Sequence, residues 1–301
     1  MRVAALDLGS NTFLLLIADM EGNRIERVIL DQTQVTRLGQ GVHQARAFHP
    51  EALQRADACL AEYAKLIKEA KVERVIAVAT SAARDVTNRS AFLGIGERYN
   101  IPIQIISGER EAAITYAGAV ADLELTGSIG VIDVGGGSTE VIATSAGSPK
   151  GVSIDIGSVR LTELFLSTHP CLMQEIEALE KYVRAKISEV KGELPKGCKS
   201  VVAVAGTPTT LAALQSGREF SEVLVHRSEL EVGQIWQWRN RMMKQSVAER
   251  QALPGMQANR ADVIVAGATI LALVSEAIGA SKVIVSTKGV RYGVASLWQE
   301  F

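Results

Sequence analysis

The chain has 301 residues, 47% of them apolar and 22% charged, with 32 Lys plus Arg against 33 Asp plus Glu and a formal net charge of -1. A chain of this size buries roughly 75% of the surface it exposes unfolded, so it needs no disulfide or metal to fold. The balanced charge argues against a general nucleic-acid or membrane-surface binder, both of which carry a basic surplus. Cys59, Cys171 and Cys198 are widely spaced and form no Cys-x-x-Cys pair. Cys59 and Cys198 lie beside apolar positions and read as small buried hydrophobes.

Asp7 ends the opening apolar run long before a signal-peptide core is complete. The later apolar stretches fall short of the ~20 residues a membrane helix needs, and the chain reads as cytoplasmic. Short aliphatic runs predict strands at 3–6, 13–18, 24–30, 75–79, 103–106, 129–132, 140–143, 152–155, 200–204 and 283–285. Between them, 51–70 places Leu53, Ala56, Leu60, Ala64 and Ile67 on one helical face, with Pro50 at a position that tolerates it. Residues 172–190 and 262–278 also read as helices. Strands alternating with such helices predict an α/β fold.

The layout repeats itself. One strand runs into Asp7-Leu8-Gly9-Ser10-Asn11-Thr12 and a second strand, and another runs into Asp133-Val134-Gly135-Gly136-Gly137-Ser138-Thr139-Glu140 and its own partner. Each pair continues through a short turn, Glu21-Gly22-Asn23 or Ala146-Gly147-Ser148-Pro149, into a third strand. Two copies about 126 residues apart predict a duplicated domain.

Turns made of Gly, Ser and Thr expose backbone amides without the Cβ atoms that keep an anion away, so they suit phosphate oxygens. Asp7 and Asp133 would repel a bare phosphate and make sense with a divalent cation, Mg²⁺ foremost, between carboxylate and phosphate. There is no GxxxxGK[ST] and no GxGxxG opening a helix, which excludes a P-loop NTPase and disfavours a dinucleotide fold. Ala205-Gly206-Thr207-Pro208 leaves a strand and opens a helix, with Thr207 as the expected cap and an anion expected at the helix start. Arg84, after the strand at 75–79, is a candidate bidentate clamp, with an ion pair to Asp85 or Glu109 as its alternative. A Glu in the segment Ser107-Gly108-Glu109-Arg110-Glu111, facing a phosphate site with no cation partner, could orient and deprotonate a water.

These segments, with Thr36-Arg37-Leu38-Gly39-Gln40-Gly41, Gly157-Ser158-Val159-Arg160-Leu161-Thr162-Glu163, Arg260-Ala261-Asp262 and residues 286–293, occur in the order found in one family. The chain resembles the exopolyphosphatase/guanosine pentaphosphate phosphohydrolase (Ppx/GppA) family, within the superfamily of acetate and sugar kinases, heat-shock chaperone ATPases and actin. The resemblance implies an α/β fold of two actin-like (ribonuclease H-like) lobes. Each has a mixed five-stranded sheet flanked by helices, and the active site lies in the cleft between the lobes. The lobes are expected at 1–119 and 120–289, with a last helix at 290–301 packed on the first and no room for appended helical domains.

By the same resemblance Glu111 is the base for the attacking water and Arg84 clamps the reacting phosphoryl group. Gly9, Ser10, Asn11 and Thr12, with Gly135, Gly136, Gly137 and Ser138, cradle phosphate, as do Gly206 and Thr207. Arg37, Arg160, Lys288 and Arg291 line the path of a polyanion. Asp133 and Glu140 hold Mg²⁺ or another divalent cation. Where this chain has Arg110, the family often has a second acid; Thr287 and Lys288 stand where an acid and an Arg are common.

The expected activity is hydrolysis of the terminal phosphoanhydride of inorganic polyphosphate. The alternatives are attack on the 5′-terminal phosphate of guanosine pentaphosphate, a non-hydrolytic polyphosphate or nucleotide sensor, and a kinase of the superfamily. No nucleic-acid or membrane partner is expected. Low aromatic content, with Trp236, Trp238 and Trp298 remote in sequence from the turns, leans toward polyphosphate. The apolar segment 263–274 reads as a buried helix, with a homodimer contact as its alternative. His43, His49, His169 and His226 show no metal-ligand spacing.

Overall fold

The apolar runs at the start of the chain become strands buried on both faces. In a computed structural model that describes residues 1–145 and 148–301, β1 (Arg2–Leu8) pairs antiparallel with β2 (Thr12–Glu21), and β2 with β3 (Arg24–Val35). β4 (Arg74–Ala79) lies parallel to β1, and β5 (Ile103–Ile105) parallel to β4, giving the order β3-β2-β1-β4-β5. Alternation along each strand divides its side chains between two layers. Leu6, Leu8, Phe13, Leu15 and Ile17 face a core shared with Leu60 and Tyr63 of α2 (Pro50–Glu69) and Phe92 of α4 (Arg89–Arg98). Val3, Ala5, Leu16, Ala18 and Val78 face Ile114 of α5 (Gly108–Val120) and Val290, Tyr292 and Val294 of α13 (Val290–Ser296). Two one-turn helices, α1 (Val42–Ala45) and α3 (Ser81–Arg84), complete this part.

The second sheet repeats the plan. β6 (Ile129–Val134), β7 (Thr139–Ser145) and β8 (Ser148–Ile154) form an antiparallel meander, and β9 (Ser200–Val204) and β11 (Lys282–Val285) extend it in parallel. A sixth strand, β10 (Glu229–Glu231), adds antiparallel to β11, so this sheet exceeds the expected five. In the turn 146–149, Ala146 and Gly147 lie outside the described residues. Helices α6 (Ser158–Phe165), α7 (Met173–Glu189), α8 (Gly206–Ser216), α9 (Glu222–Val225), α10 (Val232–Met242), α11 (Val247–Gln251) and α12 (Ile264–Ala277) surround this sheet.

The segment 263–274 is buried from Val263 to Val274, in contact with α6, α7, α8, α10 and β6. It is a core helix and leaves no face for a second subunit, which removes the homodimer alternative there. No helix among the described residues is long and apolar enough to cross a membrane.

The chain divides into two compact units, Met1–Ala121 with Val290–Phe301, and Asp122–Gly289. Within the first, α13 crosses α5 at Gly293, where any Cβ would overlap the Ile114 carbonyl. Arg291 anchors α13 to β3: its Nε and Nη2 donate to the two Asp31 oxygens at 2.8 and 2.9 Å, and the Tyr292 hydroxyl donates to Asp31 at 2.9 Å. Removing one partner of such a buried pair strands the other charge. Asp31→Asn is therefore expected to lower unfolding free energy by about 3 kcal/mol, measured by urea titration.

Candidate active site

β1 and β2 are joined through Gly9, Ser10 and Asn11. The Gly9 amide donates to the Thr12 carbonyl at 3.1 Å, and the matching Gly135 amide donates to the Ser138 carbonyl at 3.0 Å. Each glycine's missing Cβ would crowd that same carbonyl. The Asn11 carbonyl accepts the amides of Thr36 and Arg37 at 3.1 and 2.9 Å, and the Gly39 amide donates to Ser10 at 2.8 Å. Segment 36–41 thus lies against the first turn, with Arg37 in the left-handed region at φ 49°. Asn11 is only 4% exposed, and its Nδ2 has no hydrogen-bond partner among the described residues. A buried donor left so costs about 1–3 kcal/mol, a cost that a ligand oxygen would relieve.

Arg84 ends α3, just beyond β4, and Glu111 stands in the first turn of α5, just beyond β5. Ser107 caps α5 by accepting the Arg110 amide at 3.2 Å. Arg84 Nη1 donates to Glu111 Oε2 at 2.7 Å and to the Ile106 carbonyl at 3.0 Å. This corrects two expectations, because Glu111 has a cation beside it and Arg84 pairs with neither Asp85 nor Glu109. The reason lies in the sheet. Ala79 and Ile105 are register partners on adjacent parallel strands, so the helices that follow them start side by side. Arg110 donates to Glu300 at 2.7 Å and lies 5.2 Å from the Phe301 ring centre.

In the second unit, Asp133 and Glu140 are register partners across β6 and β7, and both are buried. Cross-strand partners carry their side chains on one face. Glu140 Oε1 accepts the Ser138 and Ser153 hydroxyls at 2.8 and 2.7 Å. Two buried carboxylates side by side form a hard-oxygen donor set. That suits Mg²⁺, which commonly takes one or two carboxylates and completes its shell with phosphate oxygens and water. The residues present fit the ion, although no group of three ligating side chains occurs among the described residues. The Gly135 carbonyl accepts the Ser158 amide at 2.9 Å, and the Gly136 carbonyl accepts those of Val159 and Arg160, both at 3.0 Å. A Cβ on Gly157 would overlap Gly136 and Gly137, so α6 starts directly beneath the turn.

Helix α8 starts at Gly206, one residue before the expected cap, and Ala205 precedes it at φ 74°, ψ −170° without a side-chain cap. Thr207 is inside the helix, against Gly267 of α12. The conformation of Ala205 costs about 1–3 kcal/mol for a non-glycine residue. The Arg260 guanidinium lies so close to Gly206 that any Cβ there would overlap it. Arg250, fully buried, supports the segment bearing Arg260 by donating to the Met242 and Ala261 carbonyls at 2.7 and 3.0 Å. In the sequence Arg260 stands out only as part of a matching segment, and nothing in the pattern signals Arg250.

Lys288 and Arg291, both expected along the path of a polyanion, are each engaged by a carboxylate. Arg291 is held by Asp31, and Lys288 Nζ donates to Asp122 Oδ2 at 2.6 Å. Asp122 also receives His226 Nε2 at 3.0 Å and Arg227 Nη2 at 3.4 Å, while His226 Nδ1 accepts the Thr287 amide at 3.2 Å. His226, without metal-ligand spacing in the sequence, thus links Asp122 to Thr287 through its two ring nitrogens. Burial alone would raise the Asp122 pKa, but Lys288, by hydrogen bond and charge, and His226 hold it below the usual 3.8.

A carboxylate with a depressed folded pKa contributes stability above its unfolded pKa and loses it as pH falls through the folded value. Asp122→Asn should cost about 1 kcal/mol at pH 7, allowing for solvent screening. In thermal melts, that difference from wild type should shrink as the solution is acidified through the lowered range of the Asp122 carboxylate.

A family model described as the Ppx/GppA phosphatase family matches residues 16–299. Exopolyphosphatase 2 of Mycobacterium tuberculosis is 36% identical over 282 residues, covering 90% of this chain and 88% of that protein. The crystal structure of the Aquifex aeolicus Ppx/GppA family member is 33% identical, with a TM-score of 0.82 over 100% of this chain and 98% of that one. A crystal structure of an exopolyphosphatase-like protein is 29% identical, with a TM-score of 0.92 over 99% of this chain and 97% of that one. The two mixed sheets flanked by helices are actin-like, and the chain belongs to the Ppx/GppA phosphatase family of hydrolases.

Proposed function

We propose that the chain is an exopolyphosphatase, releasing orthophosphate from the terminal phosphoanhydride of inorganic polyphosphate, and that its two compact units are the duplicated lobes. The reading rests on the Arg84–Glu111 pair, a buried carboxylate and a guanidinium 2.7 Å apart at the starts of neighbouring helices. Glu111 accepts a proton from water as the water oxygen bonds to the terminal phosphorus. The bond from that phosphorus to the bridging oxygen breaks, and the shortened chain keeps that oxygen. Charge spreads over the transferred phosphoryl oxygens, so positioning and electrostatics supply most of the stabilisation. Arg84 exchanges its bond to Glu111 for one to the phosphoryl group, which leaves the carboxylate to hold the water. The turns at Gly9–Thr12 and Gly135–Ser138 bind phosphate oxygens through their amides and hydroxyls, with the Asn11 amide adding a donor. Asp133 and Glu140 would hold Mg²⁺ or another divalent cation, which when bound neutralises phosphate charge.

The tryptophans favour polyphosphate over guanosine pentaphosphate. Each indole N–H is already engaged: Trp236 with Glu276 at 2.6 Å, Trp238 with Gln215 at 2.9 Å and Trp298 with the Gly22 carbonyl at 2.9 Å. None belongs to the segments Gly9–Thr12 or Gly135–Ser138.

Phosphate release should therefore be faster from long-chain polyphosphate than from guanosine pentaphosphate and should stop on chelation of divalent cations. Glu111→Gln should lower kcat by about 10²–10⁴-fold while tripolyphosphate binding stays within about threefold. Near-normal turnover by that variant would remove Glu111 from the chemistry.

A further inference from the structure

We propose that Arg55, on α2, is a positioning residue that fixes the 36–41 loop, and with it Arg37, on the first phosphate turn. The proposal rests on the reading of that turn given above. Arg55 Nε donates to the Thr36 carbonyl at 2.6 Å, and its Nη2 to the Arg37 carbonyl at 3.4 Å and to Gln40 Oε1 at 2.9 Å. One guanidinium thereby bridges three successive parts of the loop from outside. From inside, the loop amides of Thr36, Arg37 and Gly39 donate to Asn11 and Ser10. A Cβ on Gly39 would lie 2.9 Å from the Ser10 Cβ, so the contact between loop and turn is as close as backbones allow.

The neighbouring residues of α2 serve the same end of the sheet. Glu62 accepts the Gln32 and Gln34 amides at 3.1 and 3.3 Å, and the buried Tyr63 hydroxyl donates to the Phe13 carbonyl at 2.8 Å. Arg55, Glu62 and Tyr63 stand seven and eight positions apart, two helical turns, and therefore on one face. Arg37 is held at φ 49°, a conformation that non-glycine residues rarely adopt. The acceptors that Arg55 satisfies flank that residue, the Thr36 and Arg37 carbonyls. Without the guanidinium, the loop loses the charge-assisted bonds that offset its strain, and Arg37 and the Asn11 amide lose their fixed relation.

The test compares wild type, Arg55→Ala and Arg55→Lys. Amide exchange of residues 36–41 should quicken at least tenfold in Arg55→Ala while exchange in β1 and β4 stays unchanged; equal loop exchange in the two proteins overturns the proposal. On tripolyphosphate, Arg55→Ala should raise KM about tenfold with kcat within threefold. Millimolar guanidinium should restore much of the loss, and Arg55→Lys should fall between the two. Loss of kcat and KM together, in step with the melting temperature and without guanidinium rescue, marks a merely structural residue and refutes the assignment. If wild type neither binds nor hydrolyses tripolyphosphate, the exopolyphosphatase reading fails instead, and loop exchange still decides whether Arg55 holds the loop.

Discussion

The amide of Gly9 reaches the carbonyl of Thr12, and that of Gly135 reaches Ser138, because neither glycine has a Cβ to hold two strands apart. Once those bonds close, strand pairing has only one place to begin, at Leu8 opposite Phe13 and at Val134 opposite Thr139. Register then decides chemistry. A slip by one residue would turn every side chain of a strand to the other face and would part Asp133 from Glu140. The carboxylates are thus aligned by turn geometry, and the apolar neighbours Ile132, Val134 and Val141 lock them in place through the core. The sequence echo between the two turns reflects this shared requirement.

A second consequence of the sheet concerns Arg84 and Glu111. Their separation in sequence is large, yet parallel pairing of β4 with β5 makes the residues just beyond those strands neighbours. The pair lies in a poorly solvated place, with Glu111 buried and Arg84 about a quarter exposed. Desolvation offsets much of the attraction in such a pair, so it is weak evidence for a stabilising role. What the pair does show is that strand pairing alone brings a guanidinium to a buried carboxylate.

The fold class was legible because aliphatic runs and helical periodicity survive in the sequence wherever both faces of a strand are covered. β3 was only partly legible. Its second half, Asp31-Gln32-Thr33-Gln34, has no apolar period, and it forms a strand because β2 supplies backbone partners while Glu62 and Arg291 engage its polar side chains. β10 is three residues long and leaves too little pattern to read. The two glycine turns were legible as composition, since a Cβ at Gly9 or Gly135 would crowd the carbonyl that closes each turn. The ion pairing of Glu111 was not, because it depends on strands whose adjacency no local pattern encodes.

The cations show the same limit most clearly. A phosphate-binding family invites every Arg and Lys to be placed around the substrate, but a buried guanidinium has five N–H donors and settles wherever acceptors can satisfy them. Asp31 takes Arg291, Asp122 takes Lys288, Glu300 takes Arg110, and two carbonyls take Arg250. Carboxylates thus fix several of the cations structurally. Near two further arginines the notable feature is backbone shape. Gly206 leaves the space in which the Arg260 guanidinium lies, and Gly39 brings the strained backbone of Arg37 onto Ser10. A missing Cβ can thus bring a guanidinium, or a strained backbone, directly against a neighbouring segment.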